Sequence, residues 1–444
     1  MAPGQWRIHC LGVFFMQKNR DKWDRLQKAG LGFVLPAAIL VLLGVWAFEQ
    51  AEGLRDRERI GAVAEEGLTS QETAGGLEAA GELSAQESWK VPAAPRISAD
   101  HAIVMERSAG AVLYEKGAYD RAYPASTTKI LTTLLAVESG RLSEVTVVSD
   151  FAAGQEGSSI YAEPGEEITL RDLCYGMMLR SGNDAAVAAA EFLAGDADAF
   201  AVQMNRRAEE LGAVDTHFTN PSGLYDEDHY TTAYDLAVIS RAAMELPEFR
   251  AMAGAKTWTT GEGTEVKRTF ANKNKVLQQY KGGTGIKIGY TTATGRTLVA
   301  SSEREGMEVI CVVLNDSNWF GDSYALMDWA FENFALKQVL RDGQILQEVP
   351  LSGGMKETVK VGVKEGFWYP AERSGTGEGT KTGGVRKEDD ENGAAGVVWE
   401  VMMEGDVQAP VSRWQEAGEV NLYKDGQLVG SRVLYFLEDC PAGK

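Results

Sequence analysis

Histidine is nearly absent from this chain. His9, His101, His217 and His229 are the only four in 444 residues, and none falls in a His-Glu-x-x-His or Cys/His spacing that could hold zinc. The scarcity also counts against a Ser-His-Asp hydrolase, as does the lack of any Gly-x-Ser-x-Gly. Cysteine is equally rare. Cys10, Cys174, Cys311 and Cys440 contain no Cys-x-x-Cys and no framework spacing, so they read as free thiols, with Cys174 and Cys311 inside apolar patterns as core residues. Positive charge is in deficit too: 44 Lys and Arg stand against 64 Asp and Glu. The net charge of −20 argues against nucleic acid as a partner, because its phosphates would be repelled.

What is present is an ordinary globular composition, 44% apolar and 24% charged, in a chain long enough for two domains. One stretch is different. Residues 29–48, AGLGFVLPAAILVLLGVWAF, hold no charge and at helical rise span about 30 Å, the thickness of a bilayer core. Lys18, Arg20, Lys22, Arg25 and Lys28 precede the run, and Glu49 and Glu52 follow it. That asymmetry expects residues 1–28 in the cytoplasm and everything after residue 48 outside, in the cell envelope or secreted. The run itself is a signal peptide or an uncleaved membrane anchor, two readings that the sequence leaves open. Residues 49–95, rich in Glu, Ala, Gly and Ser, are expected to form a disordered acidic linker.

From residue 96 the texture changes. HAIVMERSAGAVLYEK reads as a hairpin around Ser108-Ala109-Gly110, and ITLRDLCYGMMLRSG as a helix capped by Thr169 with Asp172, burying Leu170, Leu173, Cys174, Met177 and Met178. RTLVASSEREGMEVICVVLN gives two strands joined at Glu305-Gly306, and MDWAFENFALK a closing amphipathic helix. Strands at both ends with helices between them predict an α+β domain over 96–345. Only short strands follow, among them a hairpin turning at Asp425-Gly426, so 346–444 is read as a small all-β domain. A Gly-rich, charged insertion near 371–395 interrupts it.

Three short elements carry chemistry. Ser126 and Lys129 in PASTTK are three apart, so on a helix they share a face. A serine hydroxyl becomes a useful nucleophile when a base in hydrogen-bond reach takes its proton, and a lysine can be that base once burial or neighbouring cations depress its pKa. Ser181-Gly182-Asn183 leaves the Thr169-capped helix, with Asp184 placed to cap the next; the hydroxyl can relay a proton and the amide can hold a peptide carbonyl. Lys287-Ile288-Gly289 lies on an alternating segment, where the lysine would attract a carboxylate and the glycine would admit a substrate backbone. A second Lys-x-Gly, Lys381-Thr382-Gly383, falls in the Gly-rich insertion with no strand to hold it and is read as a decoy.

Ser-x-x-Lys, Ser-x-Asn and Lys-x-Gly in this order resemble the motif set of penicillin-recognising serine enzymes. With YPASTTKILT, LRSGNDAA, FTNPSGLYDEDHYTTAYDLA and GIKIGYTTATGRTLVAS, the chain resembles the low-molecular-weight penicillin-binding proteins that are serine-type D-Ala-D-Ala carboxypeptidases. The resemblance covers residues 96 to 440 apart from the insertion. It implies an antiparallel sheet flanked by helices and removal of the terminal D-Ala from peptidoglycan stem peptides. Ser126 would be acylated with Lys129 as its base, Ser181 would shuttle protons and Asn183 would orient the substrate amide. Lys287 would bind the terminal carboxylate, and the N–H groups of Ser126 and Tyr290 would form the oxyanion hole. β-Lactams would acylate the same serine, and no cofactor or metal is implied.

One position departs from the family: Ile288 stands where threonine is usual. A lost hydrogen bond to a charged group costs roughly 1.5–3 kcal/mol, on the order of ten- to a hundred-fold in rate or binding. The alternative is therefore a weakened or inactive peptidoglycan-binding homologue. A class A β-lactamase is not supported, since no Glu-x-x-Leu-Asn lies between Asn183 and Lys287.

Overall fold

The computed structural model describes residues 91–373, 394–403 and 405–443. Cys10, the expected cytoplasmic segment, the apolar run at 29–48, nearly all of the linker, and the core of the Gly-rich insertion with Lys381-Thr382-Gly383 lie outside the described residues. Among the described residues no helix is long and apolar enough to cross a membrane.

A five-stranded antiparallel sheet organises the first part of the chain. It comprises β1 (His101–Glu106), β2 (Val112–Lys116), β3 (Gly283–Thr291), β4 (Gly295–Arg304) and β5 (Met307–Leu314), in the order β2-β1-β5-β4-β3. The hairpins fall where their turn residues predict. Glu305 and Gly306 between β4 and β5 both take left-handed φ, +52° and +80°, which matches the twist of the strands they join. The sheet is covered on both faces, and β5 is buried along its whole length. Alternation divides it: Ile310, Val312 and Leu314 face one core with the helices, whereas Val309, Cys311 and Val313 face another.

The first core is closed by α1 (Lys129–Glu138), α2 (Leu170–Tyr175), α3 (Asn183–Ala194) and α4 (Ala233–Met244); the second is covered by α5 (Trp319–Asn333) through Leu326, Met327, Ala330 and Phe331. The Thr169 hydroxyl accepts from the Asp172 N–H at 3.1 Å, the expected cap of α2. The expected apolar face is buried, but the helix does not run on as α. Residues Gly176–Arg180 form a wider π turn that ends at Ser181 in the left-handed region, φ +67°. Asp184 is not the N-cap of α3, which is Gly182; it lies in the first turn, where its carboxylate accepts the Ala185 N–H and also those of Ile160 and Ala162 and the Ser159 hydroxyl, fastening that loop.

The predicted closing helix stops at Asn333, and Phe334–Leu340 is a strand (β6). Met327, Ala330, Phe331 and Phe334 keep a helical period while Phe334, Leu336 and Leu340 keep a strand's, and pairing with Phe367–Glu372 decides it. After β6 come β7 (Ile345–Pro350), β8 (Thr358–Val363), β9 (Phe367–Glu372), β10 (Val397–Met402), β11 (Glu416–Lys424) and β12 (Gln427–Phe436). β6 and β9 form a ribbon, and the others a sheet of order β7-β8-β12-β11-β10 around its own core. Asp425 and Gly426 turn β11 into β12, both with left-handed φ. The fold is α+β followed by an all-β part, as the sequence pattern implies.

Candidate active site

Ser126 sits in a tight turn, Ala125–Thr128, that feeds directly into α1. The turn is held open by the left-handed backbone of Ala125, φ +49°. Lys129 follows one turn on and is completely buried. Its Nζ donates to three neutral oxygens: Ser126 Oγ at 3.2 Å, Asn183 Oδ1 at 2.7 Å and the Ser222 carbonyl at 2.5 Å. Burial is the main reason its pKa falls well below the usual lysine range, and the charges of Lys287 and Lys273 push in the same direction against a smaller pull from Asp184.

Lys287, 1% exposed on β3, donates to Ser181 Oγ at 3.0 Å and to the Ile288 carbonyl at 2.8 Å. Burial, with Lys273 adding repulsion, pushes its pKa down to about 7. Five expected residues thus fall into two hydrogen-bonded sets, Ser126–Lys129–Asn183 and Ser181–Lys287, and the charge of Lys287 acts on Lys129. Asn183 Nδ2 also donates to the Glu156 carbonyl at 2.6 Å. An amide carries two N–H donors, so one remains for a ligand carbonyl.

Gly289 is where β3 meets the serine turn. A Cβ built there would lie 2.4 Å from Thr297 Oγ1 and 2.9 Å from the Ser126 nitrogen, so only glycine lets the strand come this close. Tyr290 next to it is exposed. Ile288 pairs with Leu298 and packs into the α5-side core, on the sheet face opposite Lys287 by strand alternation.

The loop 219–224 closes the remaining side, and its part escaped the motif reading. Asn220 Oδ1 accepts from the N–H groups of Ser222, Gly223 and Leu224, which turns the Ser222 carbonyl toward Lys129. Thr132 Oγ1 donates to the Pro221 carbonyl at 2.7 Å. Lys273 was also missed. Its side chain is exposed, yet partial desolvation of its amine and the charge of Arg180 lower its pKa, and it weighs on both buried lysines. NPSG, the histidine of DEDHYTTA and the NKNK that holds Lys273 all fall in phrases that carry the resemblance, but nothing local marks any of them as part of the site. Among the described residues no group of His, Cys, Asp and Glu is placed to hold a metal ion. Cys174, Cys311 and Cys440 are free and buried.

The sequence profile of the family described as D-alanyl-D-alanine carboxypeptidase matches residues 88–318, and that described as penicillin-binding protein 5, C-terminal domain, matches residues 334–442. D-alanyl-D-alanine carboxypeptidase DacF of Bacillus subtilis is 32% identical over 349 residues, covering 77% of this chain and 85% of the relative. DacA of Escherichia coli is 30% identical over 80% of this chain and 86% of its own length. In structure, penicillin binding protein 5 from Haemophilus influenzae superposes with a TM-score of 0.63 at 27% identity, covering 79% of this chain and 99% of that one.

Proposed function

The chain belongs to the D-alanyl-D-alanine carboxypeptidase family and is a hydrolase of that class, and on that premise we propose a serine acyl-enzyme mechanism centred on Ser126. The observation that carries it is the set of partners of Lys129. A neutral amine has two N–H donors and one lone pair. With Asn183 Oδ1 and the Ser222 carbonyl taking the two hydrogens, the lone pair is left for the Ser126 hydroxyl. The depressed pKa supplies that neutral form.

The substrate is a peptidoglycan stem peptide ending in D-Ala-D-Ala. Its terminal carboxylate is drawn to Lys287, with Lys273 adding field, and the free Asn183 N–H holds a peptide carbonyl upstream. Ser126 Oγ attacks the penultimate carbonyl while Lys129 takes its proton. The N–H groups of Ser126 and Tyr290 receive the oxyanion. The proton passes through Ser181 to the departing D-alanine, and water then releases the shortened peptide by the same route in reverse. β-Lactams acylate Ser126 in place of the peptide. The work is done outside the cytoplasm, where the substrate lies, in a catalytic domain at 96–345 followed by a β domain at 346–444, attached to the membrane if residues 29–48 are retained.

Ile288 packs on the face of β3 opposite Lys287, so this reading takes its missing hydroxyl as a small cost to the carboxylate clamp rather than a lost activity. The test uses the purified full chain with penicillin and diacetyl-Lys-D-Ala-D-Ala. A penicillin adduct on Ser126 together with D-Ala release is expected, and I288T should change kcat/KM little, because a hydroxyl at 288 would lie on the face of β3 opposite Lys287. An adduct without release would leave a penicillin-binding but turnover-deficient homologue. No adduct from folded protein would overturn the mechanism.

A further inference from the structure

His229 touches neither Ser126 nor the place where a substrate would lie, yet it is buried beside them, 2% exposed. Its ring spans two elements. Nε2 is 2.8 Å from Thr128 Oγ1, in the residue just before Lys129, and Nδ1 accepts from the Thr219 N–H at 3.1 Å. A backbone N–H can only donate, so Nδ1 is the bare nitrogen and Nε2 carries the hydrogen, which it gives to Thr128. Burial keeps the ring in this neutral form, lowering its pKa to about 4. Phe218 packs edge-on against it with ring centroids 5.4 Å apart.

The two elements so joined are the serine turn and the loop that carries the Ser222 carbonyl. The loop is pressed hard onto the turn: Gly223 has φ +80°, and a Cβ there would lie 1.9 Å from the Ala125 carbonyl oxygen. Ser222 presents its carbonyl to Lys129 only while this seam is closed. Thr132 holds one end of the seam through Pro221 and His229 holds the other through Thr219.

We propose that His229 is a positioning residue for Lys129: by tying Thr128 to Thr219 it keeps the Ser222 carbonyl on one Lys129 hydrogen, and so aims the amine at the Ser126 hydroxyl. The inference rests on the reading of Lys129 as the base. It separates the two histidines of the THFTNPSGLYDEDHYTTA stretch. His217 is exposed at its ring contact and bonds only the Asp228 carbonyl within its own loop, at 2.6 Å. His229 reaches across to the catalytic turn.

The experiment follows acylation of the full chain by a fluorescent penicillin, reading the limiting rate and the half-saturating concentration separately. H229L removes both hydrogen bonds. It should lower the limiting rate on the order of tenfold, the penalty of a misaligned base, while the half-saturating concentration stays within about twofold. H229Q can donate to Thr128 and accept from Thr219, and should restore at least about a third of the wild-type rate. Should H229L not fold, T128V cuts the same bond from its other end and should show the same split. Wild-type rates in a folded H229L or T128V would overturn the proposal. So would equal loss in H229Q and H229L, or a rate that falls only in proportion to weakened binding. Failure of the wild type itself to acylate would instead sink the reading of Ser126 and Lys129.

Discussion

Lys129, Lys287 and Lys273 are three amines crowded at one site with only neutral oxygens bonded to the first two. Burial loosens the proton on each, and the Lys273 charge adds repulsion on the other two. This has a direct consequence for pH. The base works only when unprotonated, so the rate of acylation rises as pH climbs through the Lys129 pKa. Removing the Lys273 charge relieves repulsion on Lys129 and Lys287, and both then keep their protons to higher pH. K273M should accordingly shift the acid limb of the acylation rate toward higher pH. An unmoved limb in the pH profile of penicillin acylation would show that Lys273 is not coupled to the base. The pairing of Ser126 with Lys129 was legible because three-residue spacing on a helix is a local rule. Lys273 was not, because its role comes from residues distant in sequence and folded around it.

At the scale of elements, the site is built where irregular pieces meet regular ones. The serine turn is trapped between strand β3 at Gly289 and the loop at Gly223, and each contact is too close for a side chain. G223A is expected to cost stability beyond the roughly 1 kcal/mol of left-handed strain, because the Ala125 carbonyl must also be displaced. A lower midpoint in urea and a slower acylation rate should appear together; a variant that loses neither would show that the loop has room to retreat. The hairpins at Glu305-Gly306 and Asp425-Gly426 could be placed from sequence because turn chemistry is decided by two residues. The strand at Phe334–Leu340 could not, since a short apolar run takes its form from its partner and Phe367–Glu372 lies some thirty residues away. The cap at Thr169 was readable for the local reason, whereas the anchoring of the 159–162 loop by Asp184 depended on a contact across the fold.

For the molecule as a whole, the buried side chains fall into cores that share a sheet and one that does not. The helical core and the α5 core both rest on the first sheet, so they should melt together. The third gathers residues from Val339 to Cys440 and, among the described residues, takes in Ala111 from the first hairpin as its single buried member from outside that span. Calorimetry of the full chain should therefore resolve two transitions. Acylation by penicillin should raise the midpoint of one and leave the other in place, since a ligand stabilises only the unit whose native state it binds. One transition that moves as a whole would mean that the hairpin contact couples the two parts. The change from mixed pattern to strands alone made the division into an α+β and an all-β part visible in sequence, because patterning is a property of long stretches.

The π turn at Gly176–Arg180 can be read as a ledger of length. Each of its residues advances the helix by less than the 100° of an α turn, so the segment carries one residue more than an α helix would need to reach the same point. Take one residue out of 176–180 and the helix can close as α with Ser181 near its place; take out a second and Ser181 swings about 100° around the axis and away from Lys287. The stretch GMMLR can thus drift in spelling, exchanging one apolar side chain for another, but it has a single residue to spare in length. Here the active site is recorded in how many residues there are, and only secondarily in which.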